Sequence, residues 1–109
     1  MILTEEQLKK LLAELKAGWK SLYGLRLKGL YLYGSYARRA PEPYSDIDIL
    51  IVLDEIPHYA QEIERTGYLA SELSLKYGST VSRYFVTEKD WKTKDTSFLA
   101  NVREDALAA

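Results

Sequence analysis

Hydrophobic and polar residues alternate with a helical period from Thr4 onward. Leu8, Leu11, Leu12, Leu15, Trp19 and Leu22 recur at spacings of three and four, while Glu5, Glu6, Lys9, Lys10, Glu14 and Lys16 mostly fill the other face. Thr4, with Gln7 three residues later, reads as a capping box, and Gly18 or Gly24 as the stop. The pattern predicts an amphipathic helix that covers a core. Leu27 to Tyr33 is rich in aromatic and aliphatic residues and reads as a strand, closed by Gly34. Pro41 and Pro43 mark the next segment as loop. Ile47 to Leu53 is a nearly continuous apolar run, as expected of a central strand covered on both faces. Ile56-Pro57 opens a second long helix, with Tyr59, Ile63, Ala70, Leu73 and Tyr77 on one face and Gly78 as its stop. Thr80 to Val86 is a third strand. Thr87 caps a last helix whose first turn holds Glu88 and Asp90, where the helix dipole favours negative charge. Trp91, Phe98, Leu99 and Val102 supply its apolar anchors.

The short link between the first two strands predicts an antiparallel pair. The helix between the second and third predicts a right-handed parallel crossover. The expected class is therefore α/β (α+β), a small mixed sheet of about three or more strands with helices packed against it. At 109 residues, 47% hydrophobic and 28% charged, residues 1–109 read as one domain with one core. A deep site plus a separate acceptor-binding domain would not fit that length, so a partner is expected to supply part of the working surface.

Charge and composition narrow the chemistry. The net charge of -1 gives no basic bias towards nucleic acid as an obligatory ligand. The absence of Cys excludes disulfides, thiolate catalysis and Cys-based metal sites. The lone His58 follows Pro57 in a polar setting and reads as a surface residue. No signal peptide and no membrane-spanning apolar run is visible, so a cytoplasmic location is expected.

One stretch carries the candidate chemistry. Gly34-Ser35 follows the first strand, and Asp46 and Asp48 stand at the start of the second. Side chains two apart on a strand share a face, so the two acids project together, about 7 Å apart at the backbone. Carboxylates that close repel unless a cation sits between them, and Mg²⁺ takes hard oxygen ligands of this kind together with substrate phosphates. Gly34 lets the backbone approach a ligand closely, and Ser35 can donate its hydroxyl and N–H to a phosphate. A helical turn over Tyr36 to Arg38 would aim further N–H groups at the same anion. Arg38 and Arg39 can neutralise phosphate charge, or remain solvated. Tyr36 and Tyr44 flank the motif and can stack on a base, although packing accounts for most of the nine tyrosines.

Gly34-Ser35, ten intervening residues and Asp46-x-Asp48 together resemble the signature of the nucleotidyltransferase superfamily related to DNA polymerase beta. Tyr36-Ala37-Arg38 and Ser45 match its common form. The chain is most similar to the minimal nucleotidyltransferases of bacteria and archaea. That resemblance implies nucleotide binding by Gly34, Ser35, Arg38 and Ser45, and metal binding and catalysis by Asp46 and Asp48. ATP would be the donor, two Mg²⁺ ions the cofactors, and a nucleoside monophosphate would pass to a hydroxyl. It also implies an antitoxin role in a toxin–antitoxin system, with a small helical HEPN-domain protein as partner and acceptor; homo- or hetero-oligomerisation stays open. The sequence departs from the family pattern in two places. Arg39 stands where such sequences usually have Gly, which narrows the loop or adds a phosphate contact. The third strand lacks the acid that many members carry, and Ser82 takes the equivalent position. The second departure leaves an alternative, a catalytically weak or inactive nucleotide-binding module that neutralises a partner by contact.

Overall fold

Residues 2–109 are described here by a computed structural model. At its centre lies the apolar run Ile47–Leu53 (β2), paired antiparallel with Leu27–Tyr33 (β1) and parallel with Val81–Thr87 (β3). The two-residue strand Leu107–Ala108 (β4) adds antiparallel to the far side of β1, so the sheet order is β3-β2-β1-β4. Expectation and structure agree on the bounds of β1 and β2, and β3 begins and ends one residue later than expected. β2 is buried on both faces because each is covered. Ile47, Ile49, Ile51 and Leu53 point into one core cluster, and Leu50 and Val52 into another.

The first cluster is closed by helices Glu5–Tyr23 (α1) and Tyr59–Tyr77 (α2). α1 starts as its capping box requires: Gln7 N–H donates to the Thr4 hydroxyl at 3.1 Å, and Thr4 N–H to the Gln7 side-chain carbonyl at 2.9 Å. It runs through Gly18 to Gly24, and its last buried residue is Tyr23, while Leu22 is exposed. Cap geometry at Gly24, not Gly18, ends it because Gly24 adopts a positive φ of 56°.

α2 begins at Tyr59, two residues after Pro57 and past the expected start. Arg26 ties down the approach to it, donating to the Asp54 carboxylate at 3.1 Å and the Glu55 carbonyl at 3.0 Å. Its buried stripe also differs from the apolar face read from the sequence, running through Glu62, Thr66, Ala70 and Leu73. The two polar members are satisfied locally. Glu62 accepts from the Tyr23 hydroxyl at 2.7 Å and lies 3.6 Å from both Arg26 and Arg65. Thr66 accepts from Arg83 at 2.8 Å and donates to the Glu62 carbonyl at 2.7 Å. A buried acid is tolerable only with such partners.

The second cluster is covered by helices Glu88–Thr93 (α3) and Ser97–Asp105 (α4), two elements where the sequence suggested one. Thr87 caps α3 as expected, accepting from Asp90 N–H at 3.1 Å, and Thr96 caps α4 in the same way at 3.2 Å. Arg103 fixes the break by donating to the carbonyls of Trp91 and Lys94, at 2.6 and 2.7 Å. No helix among the described residues is long and apolar enough to cross a membrane.

Candidate active site

β1 ends at Tyr33, whose register partner on β2 is Asp48, and the partner of Asp48 on β3 is Ser82. These three residues form the outermost row of the sheet face that carries α3 and α4. The next row, Tyr31, Leu50 and Tyr84, lies against the second core cluster, with Leu50 fully buried. Asp48 thus stands at the border between packed interior and open surface, half-buried, with exposed Asp46 two residues before it.

The glycine corner lies directly against this acid. Gly34 has a φ of 79°, a left-handed conformation that disfavours side chains. A Cβ placed on it would come 2.2 Å from Asp48 Oδ2. The turn of the chain therefore favours glycine, and any Cβ here would displace the Asp48 carboxylate. After Gly34 the backbone winds into a helical turn, as expected, with Arg38 N–H donating to the Gly34 carbonyl at 3.1 Å and Ala40 N–H to the Ser35 carbonyl at 3.0 Å.

Burial first, and then the charge of Asp46, push the Asp48 carboxyl above its ordinary value of 3.8, while the Arg38 guanidinium pulls it back. Asp48 thus feels both the neighbouring acid and Arg38. Arg38 also forms an ion pair with Asp105, at the end of α4, at 2.7 Å. The Tyr33 hydroxyl is pushed up to about 12, mainly by burial and next by the Asp48 charge. It therefore stays protonated near neutrality and can donate a hydrogen bond but not act as a base.

The remaining flanking residues are placed differently. The Ser45 hydroxyl accepts from Glu42 N–H at 2.8 Å, so its oxygen closes its own loop. Tyr36 is buried and its hydroxyl accepts from Leu3 N–H at 3.2 Å, so it has no free face for a base. Tyr44 is exposed and bonded to Glu42. Arg39, at a positive φ of 59°, reaches towards Glu5 at 4.0 Å rather than towards the acids. His58 is exposed and precedes α2 without a side-chain cap. Among the described residues, no third acid or histidine joins Asp46 and Asp48 in a cluster. The register confirms that Ser82 is the β3 residue beside Asp48.

A hollow of about 480 Å³ lies away from the acids. It lies on the α1 side of the sheet, lined by Leu3, Leu8, Leu12, Leu32, Tyr36 and others. A smaller one of about 280 Å³ includes Ser45 and Asp46, together with Ser79 and Thr80. Glu5, Lys9 and Arg39 stand at the larger hollow, but its lining is mostly apolar and holds no pair of neighbouring carboxylates like Asp46 and Asp48. Sequence reasoning missed Tyr33 and Asp105. Tyr33 could have been found by pairing the two strands across their short link. Asp105 left no signal, because it lies 67 residues from Arg38.

Comparison with known proteins bears on this site. Residues 8–103 match the family model of the nucleotidyltransferase domain. The chain is 37% identical over 97 residues to a Methanocaldococcus jannaschii protein described as a candidate protein adenylyltransferase, covering 88% of this chain and 91% of that one. It is 35% identical over 75 residues to the protein adenylyltransferase MntA of Thermococcus cleftensis, covering 69% and 74%. In fold it resembles a chain from a crystal structure of a toxin–antitoxin with AMP-PNP, with a TM-score of 0.56, 23% identity and coverage of 97% and 72%. It also resembles a candidate minimal nucleotidyltransferase, with a TM-score of 0.52, 22% identity and coverage of 92% and 93%. The glycine–serine corner, the aspartate pair and these matches have one explanation: the chain is an enzyme that belongs to the nucleotidyltransferase domain family.

Proposed function

We propose that this chain transfers AMP from ATP to a hydroxyl on a partner protein, with the triphosphate at Gly34-Ser35 and Mg²⁺ held by Asp46 and Asp48. We read residues 1–109 as one such domain, acting in the cytoplasm. The closeness of Gly34 to the Asp48 carboxylate supports the proposal, because one nucleotide is long enough to touch both the glycine corner and that acid. The donor set fits the ion: two carboxylates that repel one another supply hard oxygens and leave room for phosphate ligands. When bound, Mg²⁺ would neutralise charge on the α-phosphate and on the departing pyrophosphate.

The protein's own groups supply orientation. The backbone N–H groups after Gly34 and the Ser35 hydroxyl hold the β- and γ-phosphates, and Arg38 faces the charge that builds on the leaving group. The acceptor oxygen forms a bond to the α-phosphorus as the bond to pyrophosphate breaks. No acid on β3 takes the acceptor proton, which passes to water or to a carboxylate of the partner. The names of the relatives support a protein acceptor. The resemblance of the sequence to minimal nucleotidyltransferases supports a HEPN-domain partner and an antitoxin role.

Ser82 beside Asp48 favours a second reading, in which nucleotide binds but turnover is slow and the partner is neutralised by contact. Incubation with labelled ATP, Mg²⁺ and a HEPN-domain protein encoded beside this chain separates the two. Transfer of label that is lost in both Asp46→Asn and Asp48→Asn supports the enzyme. Neutralisation that persists in both variants, with no label on the partner, supports the binding module.

A further inference from the structure

Next to the acids lies a group of aromatic rings that the phosphate site does not use. Phe98, in the first turn of α4, sits 5.9 Å from the Tyr33 ring, edge to face, and 4.6 Å from the Tyr84 ring. Tyr33 is the neighbour of Asp48 on β1, and Tyr84 follows two residues after Ser82 on the same face of β3. The rings therefore begin at the acid and run away from the glycine corner. Phe98 and Tyr84 are each 40% exposed, so both rings keep open surface beside the core. Tyr84 also lines a hollow of about 270 Å³, whose other walls include Tyr59, Asp90, Lys94 and Thr96.

The positions follow the layout of a nucleotide. The phosphate corner is at the end of β1, the acids are on β2, and the rings lie on β3 and α4. Strands are spaced about 4.8 Å apart, and Tyr84 lies about 7 Å along β3 from Ser82, so the rings are within reach of a base whose α-phosphate is at Asp48. Stacking on aromatic rings tolerates any base, and the polar walls of the hollow can meet its edge. We propose that Phe98 and Tyr84 form the platform on which the donor nucleobase stacks, with its edge directed into the hollow lined by Asp90, Lys94 and Thr96. This assignment rests on the nucleotidyltransferase reading of the acids and adds to it the recognition of the base.

Calorimetric titration with Mg-ATP and, separately, with Mg-tripolyphosphate tests the two levels apart. The wild-type protein should bind Mg-ATP more tightly than Mg-tripolyphosphate. Combined Phe98→Leu and Tyr84→Leu substitution, which keeps apolar bulk over the core, weakens Mg-ATP about ten-fold and leaves Mg-tripolyphosphate unchanged. Phe98→Tyr, which keeps the ring, retains wild-type affinity. If the double variant melts early, Phe98→Leu alone is read, with the same direction expected. Equal wild-type affinity for the two ligands overturns the platform while the phosphate site stands. Undiminished ATP affinity in the variant also overturns it, and a raised KM for the acceptor alone would give the rings to the acceptor instead. Failure of either ligand to bind wild-type protein overturns the phosphate site and the platform together.

Discussion

Gly34 and Arg39 are five positions apart on one turn and carry opposite solutions to the same backbone problem. Both adopt positive φ, 79° and 59°. At Gly34 the conformation is free of strain, and the space a Cβ would need is taken by the Asp48 carboxylate. Gly34→Ala should therefore act on both fold and function. The left-handed conformation alone costs about 1–2 kcal/mol, and relief of the contact pushes Asp48 away from the corner. We expect transfer to fall by about 100-fold or more, in line with the loss of a positioned catalytic group. Near wild-type rates in that variant would mean that Asp48 and the corner do not share a ligand. At Arg39 the strain is present and, among the described residues, the side chain pairs with Glu5, both partners being more than 80% exposed. Such a pair contributes little. Arg39→Gly should raise stability by up to about 1 kcal/mol, the relief of strain less the greater freedom of glycine in the unfolded chain. Urea denaturation measures it, and a loss of stability would show that Arg39 makes a contribution unaccounted for by its geometry.

At the scale of elements, what could be read in advance depended on punctuation. β1 and β2 were legible to the residue because Gly34, Pro41 and Pro43 delimit two dense apolar runs. Ser82 lies beside Asp48 in a register set by the apolar pattern of the two strands, which the sequence displays. The buried face of α2 was illegible, since Glu62 and Thr66 are polar and are buried only by virtue of partners on α1 and β3. The division of the last helix depends on Arg103 binding carbonyls of the break, and β4 is two residues long with no pattern of its own. The residues of the candidate site were legible as a motif, but their separate roles were not. Whether Arg38 meets Asp105, or Ser45 meets Glu42, is decided by tertiary placement and by the path of the loop.

α1 and α2 are also joined by a titratable contact. Glu14 lies 2.7 Å from Lys76 and accepts from the Tyr77 hydroxyl at 2.6 Å. These partners hold its carboxyl below the ordinary 4.5. A carboxylate with a depressed folded value adds stability that is present above its unfolded value and is lost as the pH falls through the folded one. Glu14→Gln should therefore lower the melting temperature at pH 7. The gap to the wild type should close progressively below about pH 4.5. A gap of constant size across that range would assign the effect to packing rather than charge.

Over the whole molecule, the two sides of the sheet are finished unequally. α1 and α2 close one face with most of the core, whereas α3 and α4 cover the other only up to the row of Tyr33, Asp48 and Ser82. The candidate site is the uncovered remainder, and Asp48 is charged there against a gradient of burial. Without ligand that charge opposes folding, so Asp48→Asn should melt at a higher temperature than the wild type near neutral pH. Saturating Mg-ATP should reverse the order. A ligand at 100 times its Kd stabilises the state that binds it by about 2.7 kcal/mol, and the variant lacks the acid that would hold the metal. Thermal scans of both proteins, with and without Mg-ATP, measure this crossing. Equal gains in the two would detach Asp48 from nucleotide binding.

Transfer requires one ligand to bridge the glycine corner and the aspartate pair. A crystal structure with Mg²⁺ and a non-hydrolysable ATP analogue tests this directly. It should show metal coordinated by both Asp46 and Asp48 and phosphate oxygens on the Ser35 hydroxyl and the N–H groups that follow Gly34. An analogue seated instead in the apolar hollow beside Leu3 and Tyr36, or phosphates remote from Asp48, would contradict it.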